Sequence, residues 1–246
     1  MYLIKTESYN SEEPIYMKLY NGENSLFVPE ARVAKDYFNT GLYEKGFINW
    51  SVENFAKSDK EIIDVGAHIG MYTIEFAKKA KRVHSFECSP KSFNYLCANI
   101  ALRQCDYVVN KYNVGLSDHE GSAKYYIRDS KDGGGNGITY LPYDTKNNVP
   151  TIEVPIKKLD SFGLTNINFI KIDVEGHEEN VIRGAEKTLV ENDYPKILFE
   201  SWPERMDNET CPAKKIRESL FSYIRSLEYK IVPLSTDDMF LAERSQ

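Results

Sequence analysis

"EIIDVGAHIG", residues 61–70, decides the fold. Ile62, Ile63 and Val65 suit a buried strand, yet Asp64 stands among them and Gly66 and Gly70 follow. Glycine weakens regular elements and marks places where another group comes close to bare backbone. The stretch reads as a strand over 61–65, a loop shaped to receive a ligand, and a helix from near Gly70. That helix turns Ile69, Thr73, Phe76, Ala77 and Ala80 to one face.

Working outward, "RVHSFE" (82–87) is a second strand ending at Glu87. Ser89-Pro90 then reads as a helix start, since serine caps free N–H groups and proline fits the first turn. Phe93, Leu96, Cys97, Ile100 and Ala101 form the apolar stripe of that helix, and a third strand is expected over 107–116. This β-α-β-α-β order signals an open, mostly parallel sheet with helices on both faces. Residues 120–156 interrupt it with "SAKYYIRD", "TIEVPIKKL" and, between them, the loop "DSKDGGGNG". No Gly-Lys-Ser/Thr follows those glycines, so the loop reads as a surface segment or lid rather than a phosphate cradle. Alternation resumes with the apolar strand "NINFIKIDV", a helix over 178–192 with Val181, Ile182, Ala185 and Leu189 inward, and the strand "PKILFESW". A helix over 213–229 follows, with Ile216, Leu220, Tyr223, Ile224 and Leu227 inward, and "KIVPLSTDDMFLAE" closes the chain as a hairpin.

Upstream, "IYMKLYNGENSLFVP" reads as a hairpin turning at Asn21-Gly22, and 31–57 as mostly helical with breaks at Gly41 and Gly46. The expected organisation is an extension over 1–57 and an α/β domain over 58–246, with a β-insertion near 120–156.

With 37 acidic against 31 basic residues, the chain carries a net charge of −6, which disfavours a general nucleic-acid binder. No apolar run is long enough for a membrane span, and the N-terminus lacks a signal-peptide core. Cys88, Cys97, Cys105 and Cys211 form no CxxC pair and read as reduced thiols, so a cytoplasmic location is expected.

In an open parallel sheet, ligands bind beyond the carboxyl ends of the strands. A dinucleotide loop carries G-x-G-x-x-G, whose second glycine clears space for pyrophosphate. His68 stands at that position, and the spacing is D-x-G-x-x-x-G. That loop suits a ligand without phosphates, such as S-adenosylmethionine. Glu87, 23 positions after Asp64, is placed to accept hydrogen bonds from both ribose hydroxyls. Leu116 and Ser117 are placed to flank an adenine ring. The denser stretch is "KIDVEGHEE" (171–179). Lys171 and Asp173 alternate with Ile172, so they share a sheet face and can pair. Asp173 and Glu200, at neighbouring strand ends, should converge near the reactive centre. Asp173, Glu175, His177 and Glu200 are the candidate general bases; His177 has the natural pKa and Asp173 the better position. A Mg²⁺ on Asp173 and Glu200 is the less favoured alternative.

"IDVGAHIGMYT", "SFECSPKSFNYLCANI", "VGLSDHEGSA", "FIKIDVEGHEENVIRGAEKTL" and "ILFE" together resemble the FkbM family of SAM-dependent methyltransferases over residues 40–200. Cys88 stands where many members carry proline. The resemblance implies a Rossmann-like class I methyltransferase fold: seven strands, with one antiparallel strand in the closing hairpin. It implies O-methylation of a sugar, glycan or other small-molecule hydroxyl. It further implies cofactor binding by Asp64, Gly66, Ala67, His68, Gly70, Tyr72, Thr73, Glu87, Cys88, Leu116, Ser117 and Asp173, with Lys171 among the catalytic group. The rival readings are O-methylation of a nucleic-acid cap, an NAD-dependent oxidoreductase and a SAM-binding module without catalysis.

Overall fold

The structure, a computed structural model, describes residues 2–6, 15–19, 26–28, 44–129, 134–234 and 238–244. Three short strands, β1 (Tyr2–Thr6), β2 (Ile15–Leu19) and β3 (Leu26–Val28), form an antiparallel sheet in sequence order. The hairpin expected over 15–29 is therefore present, while its Asn21-Gly22 turn lies outside the described residues, as does Gly41. Helix α1 (Lys45–Phe55) follows. Gly46 does not break it. It sits in the first turn, where the backbone N–H groups have no intrahelical partner to lose.

The expected alternation then appears: β4 (Glu61–Val65), α2 (Met71–Ala77), β5 (Arg82–Phe86), α3 (Pro90–Leu102) and β6 (Val109–Tyr112). Ser89 caps α3 by accepting from Ser92 N at 3.3 Å, with Pro90 in the first turn. Leu96 and Ile100 are fully buried; Ala101, expected on the same stripe, is exposed. The third strand is shorter than expected. The Asn113 side chain donates to Glu87 O at 2.8 Å and to Cys88 O at 3.3 Å, taking carbonyls that a continued ladder would use. The chain leaves the sheet there, and β7 (Gly115–Leu116) joins a second sheet with β8 (Gly121–Tyr126). A short helix, α4 (Pro142–Lys146), leads to β9 (Thr151–Lys157), the central strand of that sheet.

β10 (Ile167–Ile172) returns to the main sheet. The single helix expected over 178–192 is two, α5 (Glu178–Arg183) and α6 (Glu186–Glu191). Gly184 between them lies against Ser117 O, which a Cβ there would meet at 2.0 Å. Asp160 accepts from Lys187 N at 3.1 Å and Thr188 N at 2.7 Å, starting a new helix. β11 (Lys196–Glu200), α7 (Ala213–Ser226), β12 (Lys230–Pro233) and β13 (Met239–Glu243) complete the chain.

The main sheet has seven strands in the order β12-β13-β11-β10-β4-β5-β6, and β13 alone runs antiparallel to its neighbours. This is the expected Rossmann-like arrangement. Buried side chains alternate between its faces: Ile62 and Phe169 pack under α1, α2 and α3, and Ile63 and Ile170 pack under α5, α6 and α7. Phe55 of α1 stacks on Phe169 with centroids 4.2 Å apart, so α1 shares the sheet's core. Strand order reverses between β4 and β10, whose carboxyl ends therefore open a crevice. All four cysteines are free thiols, and no described helix is long and apolar enough to cross a membrane.

Candidate active site

The loop after β4 is bent by Gly66 (φ 75°), His68 (φ 51°) and Gly70 (φ 92°). Gly66 answers to the protein itself: a Cβ there would sit 1.8 Å from Asp173 O, while Asp173 N donates to Val65 O at 3.1 Å. The bare backbone expected to receive a ligand thus lets β4 and β10 close on each other at the crevice. Asp64 points beneath the loop. It is fully buried, accepts from Thr73 Oγ1 at 2.6 Å, and leaves Oδ1 without a hydrogen-bond partner.

Glu87 closes the other side. Its two oxygens accept from His68 N and Ser89 N, each at 2.8 Å, so one carboxylate joins the glycine loop to the turn after β5. Burial pushes its pKa up, against the pull of His68 and these two N–H groups.

The β10 end supplies the dense chemistry. Lys171, 3% exposed, donates to Asp173 Oδ2 at 3.0 Å and approaches Gly66 O at 3.5 Å. Burial works to raise the Asp173 pKa. The Lys171 charge and hydrogen bonds from Glu200 and Lys171 outweigh it and hold Asp173 low. Glu200 moves the other way, pushed well up by burial and by the Asp173 and Glu175 charges, and shares a hydrogen bond with Asp173. Glu175 and Gly176 have positive φ (54° and 89°), and a Cβ on Gly176 would meet the Trp202 ring at 2.9 Å. Trp202 Nε1 donates to Glu175 Oε2 at 3.0 Å. Burial and then the Asp173 charge push Glu175 up to about 8. Glu178 Oε1 accepts from Val174 N at 3.1 Å and Gly176 N at 3.2 Å, bracing the turn, and burial pushes its pKa up to about 7. His177 Nε2 shares a 3.0 Å hydrogen bond with Ser117 Oγ, and burial pushes the ring down to about 4.

These groups surround a cavity of about 480 Å³ at the strand ends. Of the residues singled out from sequence, Gly66, His68, Glu87, Cys88, Leu116, Asp173, Glu175, His177 and Glu200 line it. Asp64, Ala67, Gly70, Tyr72, Thr73, Ser117 and Lys171 stand behind that wall: Asp64 with Thr73, Tyr72 with Glu44, Ser117 with His177, and Lys171 with Asp173. One oxygen each of Asp173, Glu175 and Glu200 lies within 4.8 Å of the others, a spacing that a divalent cation can bridge. Lys171 already places a positive charge on that group.

Three parts of the wall lie outside the residues singled out from sequence for catalysis or cofactor binding. Glu44, at the start of α1, lines the cavity and accepts from Tyr72 OH at 2.9 Å. Tyr125 and Trp202 also line it. The third part is 134–138, from the glycine-rich stretch read as a surface segment or lid. Its glycines allow close packing, and a Cβ on Gly137 would lie 3.1 Å from Glu175 Cβ. Arg128 fixes this segment, donating to Gly135 O at 3.1 Å, to Thr139 O, and through two nitrogens to Asp144 at 2.8 Å each. Six carboxylates (Glu44, Glu87, Asp129, Asp173, Glu175 and Glu200) line the cavity, and no lysine or arginine does so among the described residues.

A family model described as "Methyltransferase FkbM domain" matches residues 64–231. Among curated proteins, Methyltransferase 1 of Beauveria bassiana is 26% identical over 151 residues, which are 52% of this chain and 59% of that one. Hexuronic acid methyltransferase AglP of Haloferax volcanii is 28% identical over 134 residues, 54% of this chain and 53% of that one. The chain thus spans little more than half the length of these two relatives. Among solved structures, methyltransferase FkbM from Methylobacillus flagellatus KT superposes with a TM-score of 0.54 at 17% identity, covering 87% of this chain and 48% of that one. A ribosomal protein L11 methylase from Lactobacillus delbrueckii subsp. bulgaricus gives 0.50 at 12% identity, covering 82% and 79%. These two likenesses concern the fold.

Proposed function

The chain belongs to the FkbM family of methyltransferases, and from that membership we propose that it moves a methyl group from S-adenosylmethionine to a hydroxyl of a sugar or glycan. The observation that carries the cofactor assignment is the cavity lining, with six carboxylates and no described lysine or arginine. Even with Asp173 paired to Lys171 and with Glu175 and Glu200 pushed toward the neutral form, a wall of acids with no lysine or arginine among its described residues favours a cationic sulfonium over the pyrophosphate of a nicotinamide dinucleotide. In this reading Glu87 takes the ribose hydroxyls, Phe86 and Leu116 flank the base, and the loop from Gly66 carries the tail. When bound, the cofactor supplies the methyl carbon as an electrophile.

The chain's own residues position the acceptor and remove its proton. Alignment of the reacting groups is worth about 7–11 kcal/mol, so the cavity walls carry more than any base. Of the four candidate bases, Glu175 fits best. His177 is engaged by Ser117 and held low, Asp173 is neutralised by Lys171, and Glu200 is pushed well up by burial and its acidic neighbours and shares a hydrogen bond with Asp173. Glu175 faces the cavity with its oxygen fixed by Trp202, and its pKa of about 8 suits proton transfer near neutrality. The hexuronic acid named in the AglP relative supports the choice of sugars. A mass-spectrometric screen of neutral sugars, uronic acids and glycans with labelled SAM tests this, with Glu87→Ala as control. Label on a sugar hydroxyl, lost in the control, is expected. SAM binding with no labelled acceptor would favour a binding module instead.

A further inference from the structure

We propose that Glu44, which precedes the matched family segment, receives the ammonium group of the cofactor's methionyl tail. This rests on the methyl-transfer reading above. Glu44 stands at φ 50° at the start of α1, and this bend brings its carboxylate to the cavity wall. Tyr72 holds it there through the 2.9 Å bond to Oε2. Tyr72 belongs to α2, which begins directly after the glycine loop. Its ring lies 4.9 Å from Lys171 Nζ, which itself reaches toward Gly66 O. Glu44 therefore opens on the cavity at the glycine-loop end, where the tail would lie.

The other acids near that end are committed. Asp64 lies outside the cavity, bonded to Thr73. Asp173 is ion-paired with Lys171 at 3.0 Å. Glu87, with one main-chain N–H on each oxygen, is the group assigned above to the ribose hydroxyls. Glu44 accepts only the tyrosine hydroxyl among the described residues, which leaves its remaining lone pairs for a donor. A primary ammonium offers three N–H donors and a full charge, the pairing that a half-satisfied carboxylate in a cavity favours most.

Two ligands that differ only in the tail isolate this contact. S-adenosylhomocysteine carries the amino-acid tail, and 5′-methylthioadenosine has a methyl group in its place. Calorimetry on Glu44→Gln should show affinity for S-adenosylhomocysteine falling about 10- to 100-fold, with 5′-methylthioadenosine unchanged. Glutamine keeps an acceptor for Tyr72, and the unchanged second ligand shows that the site is folded. Tyr72→Phe should weaken only the tailed ligand, by a smaller factor. Unchanged affinity for S-adenosylhomocysteine, or equal losses for both ligands, overturns the proposal. Absence of heat from either ligand on the unsubstituted chain overturns the methyl-transfer reading itself.

Discussion

The indole N–H of Trp202 donates to Glu175 Oε2 at 3.0 Å, and the same ring packs against Gly176, where a Cβ would meet it at 2.9 Å. One aromatic residue after β11 thus fixes both the backbone and the carboxylate of the turn after β10. If Glu175 takes the acceptor's proton, Glu175→Gln should lower kcat by about 10²- to 10⁴-fold while SAM affinity holds. In Trp202→Phe, loss of a hydrogen bond to the ionised form should move the acid limb of kcat/KM to higher pH, from about 8 in the parent chain. A limb that stays in place would separate Trp202 from the base.

Glu178 gives a stability test. Its folded pKa of about 7 lies above the ordinary value of 4.5. Its contribution is therefore fully present below about pH 4.5 and is lost as pH rises through about 7. Glu178→Gln keeps an oxygen for the N–H groups of Val174 and Gly176 and cannot ionise. At pH 8 the variant should be more stable by about 1–3 kcal/mol, with the advantage vanishing toward pH 4.5, as read by urea unfolding across that range.

Two glycines make a matched pair. Gly66→Ala puts a Cβ 1.8 Å from Asp173 O at φ 75°, so the strand ends must part. A loss of about 3 kcal/mol or more is expected, with weakened SAM binding. Gly46, in the first turn of α1 with nothing within 4 Å of its Cβ position, should gain about 0.5–1 kcal/mol on change to alanine. Thermal melts of the two variants should move in opposite directions.

Much of this was legible in the sequence because the signals were local. The apolar strands, the Ser89-Pro90 cap, the glycine loop and the acid closing β5 each depend on near neighbours in the chain. What escaped depends on distant contacts. Asn113 stops β6 by reaching carbonyls across the turn after β5. Gly184 splits a helix because Ser117 O lies against it. Asp64, an acid in an apolar run, finds a partner in Thr73 within the fold. Glu44 carried no signal at all, since its place on the cavity wall is fixed by a bond to Tyr72 across 28 positions.

The Asp173, Glu175 and Glu200 cluster is charge-matched by Lys171 rather than by a metal in this account. Transfer to an acceptor identified by the screen should therefore continue at an unchanged rate after exhaustive dialysis against EDTA. Loss of activity restored by Mg²⁺ would assign those carboxylates to a cation.

The most direct measurement is calorimetric titration of the chain with SAM, with NADH as comparison and Glu87→Ala alongside. Micromolar binding of SAM, no heat with NADH, and a loss of at least about tenfold in the variant are predicted. No SAM heat at millimolar ligand, or SAM binding indifferent to Glu87, would contradict the account.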